Sequence, residues 1–245
     1  MKKIALFAVT CILFNSLFAQ DSTVTVAVPK KKQPINLANR ANDHLLLQLG
    51  YTNWAGKPDS VQTKGFCKSF NIYFMFDFPF KSNPKISVAL GPGIASDHIL
   101  FDETYVAIKD VNRTLQFVNQ SDTNHFKKTK LNTTYLEVPL ELRYVAKPMN
   151  SDNSFKFALG IKGGTLISAH TRNVDLENKN DVSLNDYTMK EKSKRYFNTT
   201  RIMGTARVGF GHFTVYGSYQ LTSLFKEGAS ASIKPWSIGL TLSGL

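Results

Sequence analysis

The chain has 245 residues, a formal net charge of +12 and a pI near 9.6, a size that suits one large β domain or two small ones. Its mean hydropathy of −0.18 resembles that of soluble proteins, but a membrane β-barrel has a similar average because half of each strand faces a polar interior. After the N-terminus, no window reaches the roughly 18 consecutive apolar residues of a spanning helix. These values exclude a helical membrane protein and leave a barrel open.

The N-terminus has the three parts of a secretory signal peptide. Two lysines precede an apolar stretch from Ile4 to Phe14, and Ala19 offers a cleavage site. We therefore expect residues 1–19 to be removed on export. Residues 20–42 contain PKKKQP without sustained periodicity, and we predict that they form a flexible basic arm in the periplasm.

Residues 43–245 form a series of segments in which apolar side chains alternate with polar or small ones. Such alternation predicts extended strands with one apolar face each. The eight segments are residues 44–54, 69–80, 85–96, 135–144, 155–169, 198–210, 213–224 and 234–245. Cys67 is the only cysteine after residue 19, so the exported chain contains no intramolecular disulfide.

Two of these segments indicate what the apolar faces contact. SFNIYFMFDFPF places five phenylalanines on one face, between Phe70 and Phe80, which is more than a small soluble core usually accepts. YLEVPLELRY, residues 135–144, alternates leucine and valine with charged side chains. We predict that the apolar faces meet lipid and that the charges face a lumen. Pro139 interrupts this segment and predicts a bulge or kink, since proline cannot donate a ladder hydrogen bond.

The connections between the segments alternate between short and long. The short ones lie around residues 81–84, 147–154 and 211–212, and all the others are longer, the last by about one residue. In outer-membrane barrels the short turns face the periplasm and the long loops face outside. We therefore predict an all-β, eight-stranded, antiparallel, up-and-down transmembrane β-barrel over residues 43–245, with both termini in the periplasm of a Gram-negative bacterium.

The FAQ that ends the signal peptide, NIYFMFDFPF followed by KSNPKISVALGPG, and TYLEVPLELRY together resemble the PorT-like outer-membrane β-barrel proteins of Bacteroidetes. The similarity covers about residues 43 to 245. It implies a barrel and, by analogy with the protein that gives the family its name, an accessory role in protein secretion. Leu245 stands where outer-membrane barrels often end in an aromatic residue.

Charged side chains on the polar faces predict a network inside the lumen. An eight-stranded barrel is just wide enough for side chains to fill it, and buried charges must pair. The predicted members are Asp77, Glu137, Glu141, Arg143, Lys156, Lys162, Arg201 and Arg207. A narrow pathway that weakly prefers anions is the alternative to a purely structural network.

A second set of basic side chains precedes two of the strands at the outer rim. These are Lys127, Lys128, Lys130, Lys190, Lys192, Lys194 and Arg195. Basic groups close to an anionic membrane surface gain binding energy, so contact with lipopolysaccharide is one interpretation and an ordinary solvated loop is the other.

No strong catalytic or metal-binding motif is present. Ser168 and His170 lie two residues apart near Asp175, but such alternation is common by chance, and we expect neither an enzyme nor a cofactor, a metal or a nucleic-acid partner. We predict a membrane-anchored interaction platform whose loops, residues 97–130 and 170–195, contact protein partners or the outside surface. The alternatives are a secretion accessory, a small-solute channel and a soluble lipocalin-like carrier with every face reversed.

Overall fold

The computed structural model describes residues 44–59 and 61–244. The chain divides into two units, residues 1–35 and 36–245, and the described residues belong to the second. The predicted signal peptide and basic arm, residues 1–42, lie outside the described residues. No helix in the described part of the chain has the length and hydropathy needed to cross a membrane.

The described residues fold almost entirely as β-strands, with one short 3-10 turn at Ser151–Asn153. The strands are β1 (Leu45–Ala55), β2 (Lys68–Phe74), β3 (Phe76–Phe80), β4 (Asn83–Leu90), β5 (Gly93–Phe101), β6 (Thr104–Val106), β7 (Phe117–Asn119), β8 (His125–Val145), β9 (Phe155–Glu177), β10 (Ser183–Lys192), β11 (Thr200–Phe210), β12 (Phe213–Gln220) and β13 (Lys234–Ser243). Each of the predicted alternating segments overlaps one or two of these strands, so the prediction of an all-β antiparallel fold is confirmed.

Eleven strands form one sheet in the order β10-β9-β11-β12-β13-β1-β2-β5-β8-β4-β3. In addition, β8 pairs with β9 along most of its length, and β1 pairs with β13 from Leu46↔Ser243 to Ala55↔Lys234. All these pairs are antiparallel. The remaining two strands, β6 and β7, form a separate hairpin.

Two interruptions fall at neighbouring points of the sheet. Met75 separates β2 from β3, and Gly91 and Pro92 separate β4 from β5. The register is the same on both sides of the gap, since Tyr73 pairs with Gly93 and Phe76 with Leu90. Strands β2 and β3 therefore form one continuous path through the sheet, and β4 and β5 form a second path beside it.

Pro139 does not create the predicted bulge. It pairs with Lys162 in unbroken register, and the irregularity of β8 lies between Thr134 and Tyr135 instead. On the other side of β8, pairing stops between Glu137 and Leu140, and the register places Gly91 opposite Pro139. Proline has no N–H to donate to a neighbouring strand. At Pro139 the ladder between β8 and its neighbours β4 and β5 is already interrupted, so the missing donor breaks no pairing there.

Burial alternates residue by residue along the strands. From Tyr135 to Val145 in β8, every odd-numbered residue, Pro139 included, is buried and every even-numbered residue is exposed. The exposed apolar side chains of the sheet form what we call the apolar belt. It includes Phe70, Ile72, Phe74, Phe78, Ile94, Leu136, Leu140, Leu159, Ile161, Val208, Val215 and Leu240.

Aromatic side chains crowd the end of the apolar belt that lies near the short turns. Outer-membrane barrels carry such aromatic girdles where the lipid meets water. The exposed members are Phe76, Phe78, Phe80, Tyr144, Phe155, Phe157, Phe210 and Phe213. One of these turns is the tight Gly211-His212 hairpin, in which Gly211 has φ +58°, as the first turn residue of a type II′ hairpin requires.

The segments predicted as loops, residues 97–130 and 170–195, contain more strand than expected. Strand β5 continues to Phe101, β8 begins at His125, β9 continues to Glu177 and β10 occupies most of the remainder. Threonine at positions such as Thr129 and Thr133 favours extended backbone, and alternation with buried side chains continues there. The strands therefore extend well beyond the apolar belt.

The four long connections meet in one buried apolar cluster, which we call the loop cap. The loop cap draws its side chains from these connections and from the adjoining strand ends. The connections are residues 56–67, 102–124, 193–199 and 221–233. The buried members are Trp54, Val61, Cys67, Ile99, Phe101, Val106, Ile108, Leu115, Leu131, Tyr135, Leu166, Ala169, Tyr196, Phe197, Leu224, Phe225, Ala229 and Ile233. The connections are thus packed against one another.

Candidate functional site

The buried face of the sheet carries a group of ion pairs centred on Arg201 of β11. Its guanidinium donates to Asp97 of β5 (Nη1–Oδ2, 2.6 Å) and lies 2.6 Å from Glu137 of β8 (Nη2–Oε1). The same guanidinium stacks over the ring of Tyr135 at 4.2 Å. All four side chains are buried, so each charge is compensated where water is largely excluded.

Lys162 of β9 joins this group through uncharged partners. Its ammonium donates to Tyr73 Oη (3.1 Å) and to Gln48 Oε1 (3.2 Å). Tyr73 in turn donates to Glu137 Oε2 at 2.6 Å. Asn71 donates to the same Gln48 oxygen at 3.2 Å. The chain of hydrogen bonds crosses from β9 through β2 to β1 and β8.

A second group of ion pairs is centred on Glu141 of β8. Arg207 of β11 forms two hydrogen bonds with its carboxylate (Nε–Oε1, 3.2 Å; Nη2–Oε2, 2.7 Å). Arg143 donates to Glu141 Oε2 at 3.0 Å and lies 3.8 Å from Asp77 Oδ1. Lys156 is buried beside Arg143 and Arg207, with which it lines a small cavity.

The eight side chains named from the sequence therefore all lie on the buried face, in two groups. The sequence prediction missed Asp97, Tyr73 and Gln48, which complete the contacts of Arg201 and Lys162. Asp97 was missed because it was assigned to a loop. It continues the alternation of Ala89 and Ala95, and this was the signal that could have placed it on the buried face.

On the opposite face, beyond the apolar belt, basic side chains face one another across neighbouring strands. Two register rows contain them. The first runs Tyr51–Lys68–His98–Asn132–His170–Lys192, and the second runs Leu100–Lys130–Arg172–Lys190. We call Lys68, Lys130, Arg172, Lys190 and Lys192, with His98 and His170, the basic patch. Directly paired residues in an antiparallel sheet share a face, so these groups are neighbours.

Neither row contains an acidic residue. Among the described residues, the five lysines and arginines of the basic patch form no ion pair within 4.0 Å. Burial lowers the pKa of Lys130, and the charges of Arg172 and Lys68 lower it further. Burial likewise lowers the pKa of His170, with Lys190 and Lys192 adding to the effect. Burial is the larger cause of both shifts, and the like charges of neighbouring basic groups act in the same direction.

Of the seven basic residues predicted at the rim, Lys130, Lys190 and Lys192 belong to the basic patch. Lys128 is exposed on the same strand face, whereas Lys127 pairs with Glu177 at 3.1 Å. Lys194 and Arg195 lie at the loop cap, where Arg195 donates to the backbone oxygen of Val111 at 3.0 Å. The sequence prediction missed Lys68, His98 and Arg172 because the pairings that place them beside Lys130 are long-range.

An outward cleft of about 730 Å³ adjoins the basic patch. Apolar residues of β13, β1 and β2 form most of its wall, and Lys68 and His98 lie at its edge. Phe66 is 59% exposed, and its ring lies 5.5 Å from that of Tyr51. The cleft therefore offers an apolar surface next to positive charge.

The other chemical candidates are less complete. Ser168 and His170 both lie on the outward face, paired with Thr134 and Asn132. Asp175, the third residue considered in the sequence, has φ +54° and falls between the paired residues of β9. This arrangement places Ser168 and His170 side by side on one face of β9.

One group of potential metal ligands was not visible in the sequence. Oxygen or nitrogen atoms of Glu103, His125 and Asp181 lie within 4.8 Å of one another. Both ring nitrogens of His125 already have a polar partner. Its Nε2 lies 3.2 Å from Asp181 Oδ1, and its Nδ1 lies 3.3 Å from the backbone oxygen of Thr123. The geometry suits either a divalent cation or a histidine–aspartate ion pair.

Two of the solved structures that match this chain do so at low identity. The attachment invasion locus protein Ail of Yersinia pestis is 13% identical, with a TM-score of 0.34, over 82% of this chain and 99% of Ail. A second Ail structure, in complex with the heparin analogue sucrose octasulfate, is 13% identical, with a TM-score of 0.33, over 81% of this chain and 97% of that chain. No curated protein matches the sequence.

The family comparison agrees with the alternating faces and the antiparallel sheet. The model described as "Outer membrane protein beta-barrel domain" matches residues 18–227, which is most of the chain. The predicted outer-membrane location is confirmed at this level. The chain belongs to the outer membrane protein beta-barrel domain family.

Proposed function

We propose that the second unit is a closed, eight-stranded barrel that displays the loop cap outside the cell. Two observations support the strand count. Strands β2 and β3 follow one path, as do β4 and β5, and β8 pairs with β9. Taken in this way, the pairings run from β1 through β2/β3, β4/β5, β8, β9, β11, β12 and β13 back to β1, while β10 extends the edge of β9. Residues 1–19 are its signal peptide and residues 20–42 its periplasmic arm.

The proposed role of this barrel is a non-enzymatic interaction platform. The observation that carries it is that all four long connections share one buried apolar cluster, the loop cap. Trp54 contacts the rings of Phe101 and Phe225 at 5.3 and 5.8 Å, and Leu115 and Ala229 join two connections by a backbone hydrogen bond of 2.7 Å. Packed connections hold their outer residues in fixed relative positions, as a binding surface requires.

Apolar residues at the tips of the connections are the proposed contact points. Val111 is 81% exposed, Val182 56% and Leu184 52%. Buried ion pairs lie on the inner face of the sheet, and the loop cap is packed with buried apolar side chains. We therefore propose that the barrel does not conduct solutes.

A soluble carrier would need the phenylalanines of β2 and β3 inside, and they are exposed. The PorT resemblance is the sole support for a secretion role.

The orientation is tested with epitope tags in intact cells. One tag is inserted after Asn180, between β9 and β10, and a matched tag after Ser82, in the short turn between β3 and β4. We expect antibody to label the Asn180 tag without permeabilisation and the Ser82 tag only after it. The reverse pattern would contradict the proposed orientation.

The platform role is tested with a photo-cross-linking amino acid in native host cells. It is placed at Val111 or Val182, and the control position is Phe213, which is 67% exposed in the apolar belt. We expect discrete protein or glycan adducts from the two cap positions, and none from Phe213. Identical lipid adducts at all three positions would contradict the platform role.

The absence of conduction is tested by planar-bilayer recording of the purified protein. Current no higher than background would support it, and regular single-channel steps would overturn it.

A further inference from the structure

The basic patch places like charges directly opposite one another. Lys130, Arg172 and Lys190 occupy one register position on β8, β9 and β10. Neighbouring strands lie about 4.8 Å apart, and like charges directly opposed across strands are destabilising. Nothing in the two rows offsets this repulsion, since the rows contain no acid. An anion bound from outside would relieve it.

Polar side chains adjoin the charges on the side of the apolar belt. Ser96 Oγ donates to Asn132 Oδ1 at 3.0 Å and lies 3.2 Å from His98 Nε2. These groups hold His98 and Asn132 in position between Lys68 and Lys192. The basic patch therefore includes one side chain, His98, that hydrogen bonds to its neighbours on the same face hold in place.

The size and surroundings of the patch indicate the chemical class of its ligand. It extends over the five strands β2, β5, β8, β9 and β10, about 19 Å at the usual strand spacing, which exceeds the width of a single phosphate group. On one side it borders the apolar belt at Phe70 and Ile94, and on another the apolar cleft beside Tyr51 and Phe66. A suitable ligand carries several negative charges on a broad head group and has acyl chains.

We propose that the basic patch and the adjoining cleft bind a phosphorylated glycolipid of the lipid A class. Its phosphates contact Lys130, Arg172, Lys190 and Lys192, and its acyl chains lie along the apolar belt and in the cleft at Lys68. The site rests on the proposed function, in which this end of the barrel faces the outer leaflet. It changes the set of residues predicted to contact lipopolysaccharide: Lys127, Lys128, Lys194 and Arg195 are replaced by Lys68, His98, His170 and Arg172.

The test measures lipid binding by the full exported chain, purified and folded in zwitterionic detergent micelles. The probes are bis-phosphorylated lipid A, the same lipid without its phosphates, and inorganic pyrophosphate, and the readout is calorimetric titration. We expect the bis-phosphorylated lipid to bind at least about tenfold more tightly than either other probe, because each basic contact near an anionic surface contributes about fivefold. Equal binding of the dephosphorylated lipid, or of pyrophosphate, would overturn the proposal.

Matched variants locate the site. The variant Lys130→Gln/Arg172→Gln/Lys190→Gln loses three charges from the patch, and Lys109→Gln/Lys179→Gln/Lys226→Gln loses three exposed charges elsewhere. We expect the first to weaken lipid A binding by about tenfold or more and the second by less than about twofold. Equal losses in both variants would show non-specific attraction and overturn the site.

Two further variants keep the test decisive if the triple variant does not fold. Lys192→Gln alone is expected to weaken binding about fivefold, and Lys130→Arg/Lys190→Arg, which keeps both charges, is expected to retain it. Full binding by Lys192→Gln would contradict the proposed contact. Binding in micelles does not depend on orientation in the cell, so the tag experiment and this titration can fail independently.

Discussion

Arg207 and Glu141 form a two-point ion pair on the buried face of the sheet, with Nε–Oε1 and Nη2–Oε2 distances of 3.2 and 2.7 Å. Both side chains are at most 5% exposed. Removing one member of such a pair leaves a buried charge without its partner, which costs about 3–5 kcal/mol. The pair therefore makes the stability of the barrel depend on two strands, β8 and β11, that do not adjoin.

The first prediction concerns this pair. We expect Arg207→Met to lower the free energy of unfolding by about 3 kcal/mol, measured by urea titration in detergent micelles. Glu141→Gln should have a similar effect, and the double variant should cost clearly less than the two single losses added together. Simple additivity would show that the two groups do not interact in the folded protein.

The second prediction concerns the paired residues Tyr73 and Gly93. A Cβ at Gly93 would lie 2.1 Å from Tyr73 Cδ1, so Gly93→Ala must displace the ring that donates to Glu137. We expect a loss of stability of about 1–3 kcal/mol, as for other overpacked sites.

Gly163→Ala provides the matched control for this substitution. Gly163 lies in β9, and a Cβ there meets no atom within 4 Å among the described residues. It should leave stability unchanged or raise it by up to about 1 kcal/mol, because alanine restricts the unfolded chain. Comparable destabilisation by both changes would mean that the contact with Tyr73 is not the cause.

The third prediction separates the loop cap from the sheet below it. Phe225 contacts Trp54 and Phe197 with ring centroids 5.8 and 5.1 Å away, and Phe225→Ala should remove about 3–5 kcal/mol of packing from the cap. We expect faster proteolysis within residues 221–233, while the heat-dependent electrophoretic shift of the barrel is retained. Val111→Ala, at an 81% exposed position, should leave the cleavage rate unchanged.

The fourth prediction concerns Cys67, whose side chain is fully buried in the loop cap. Burial raises the pKa of its thiol, which lowers the fraction of reactive thiolate. In a protein that begins at residue 20, where Cys67 is the only cysteine, we expect a polar maleimide to label Cys67 slowly when the protein is folded and rapidly in denaturant. Phe225→Ala should accelerate labelling of the folded protein. Rapid labelling of the unaltered protein would contradict the packing of the cap.

The sequence predicted the strands and their faces because both depend on local alternation. The leucines of β8 and the phenylalanines of β2 and β3 are exposed, and the charges between them are buried, as their spacing indicates. Pro139 shows the limit of such reasoning. The effect of Pro139 depends on Gly91, which lies in the gap between β4 and β5, and a single segment does not contain that information.

The loop cap and the basic patch could not be predicted for a related reason. Phe197 and Phe225, or Lys68 and Lys192, come together through pairings between distant parts of the chain. Residues in loops also lack the periodicity that marks a buried face. The sequence therefore gives no indication that the apolar residues of the long connections pack together.

The loop cap also constrains how the protein can diversify. Four separate connections supply one set of mutually fitted side chains, so an altered core residue in residues 102–124 changes the neighbours of residues in 221–233. Insertions are tolerated best at tips such as Asn180, which lies outside that set. New recognition properties should thus arise by exchange of tips on a retained interior, or by simultaneous replacement of all four connections.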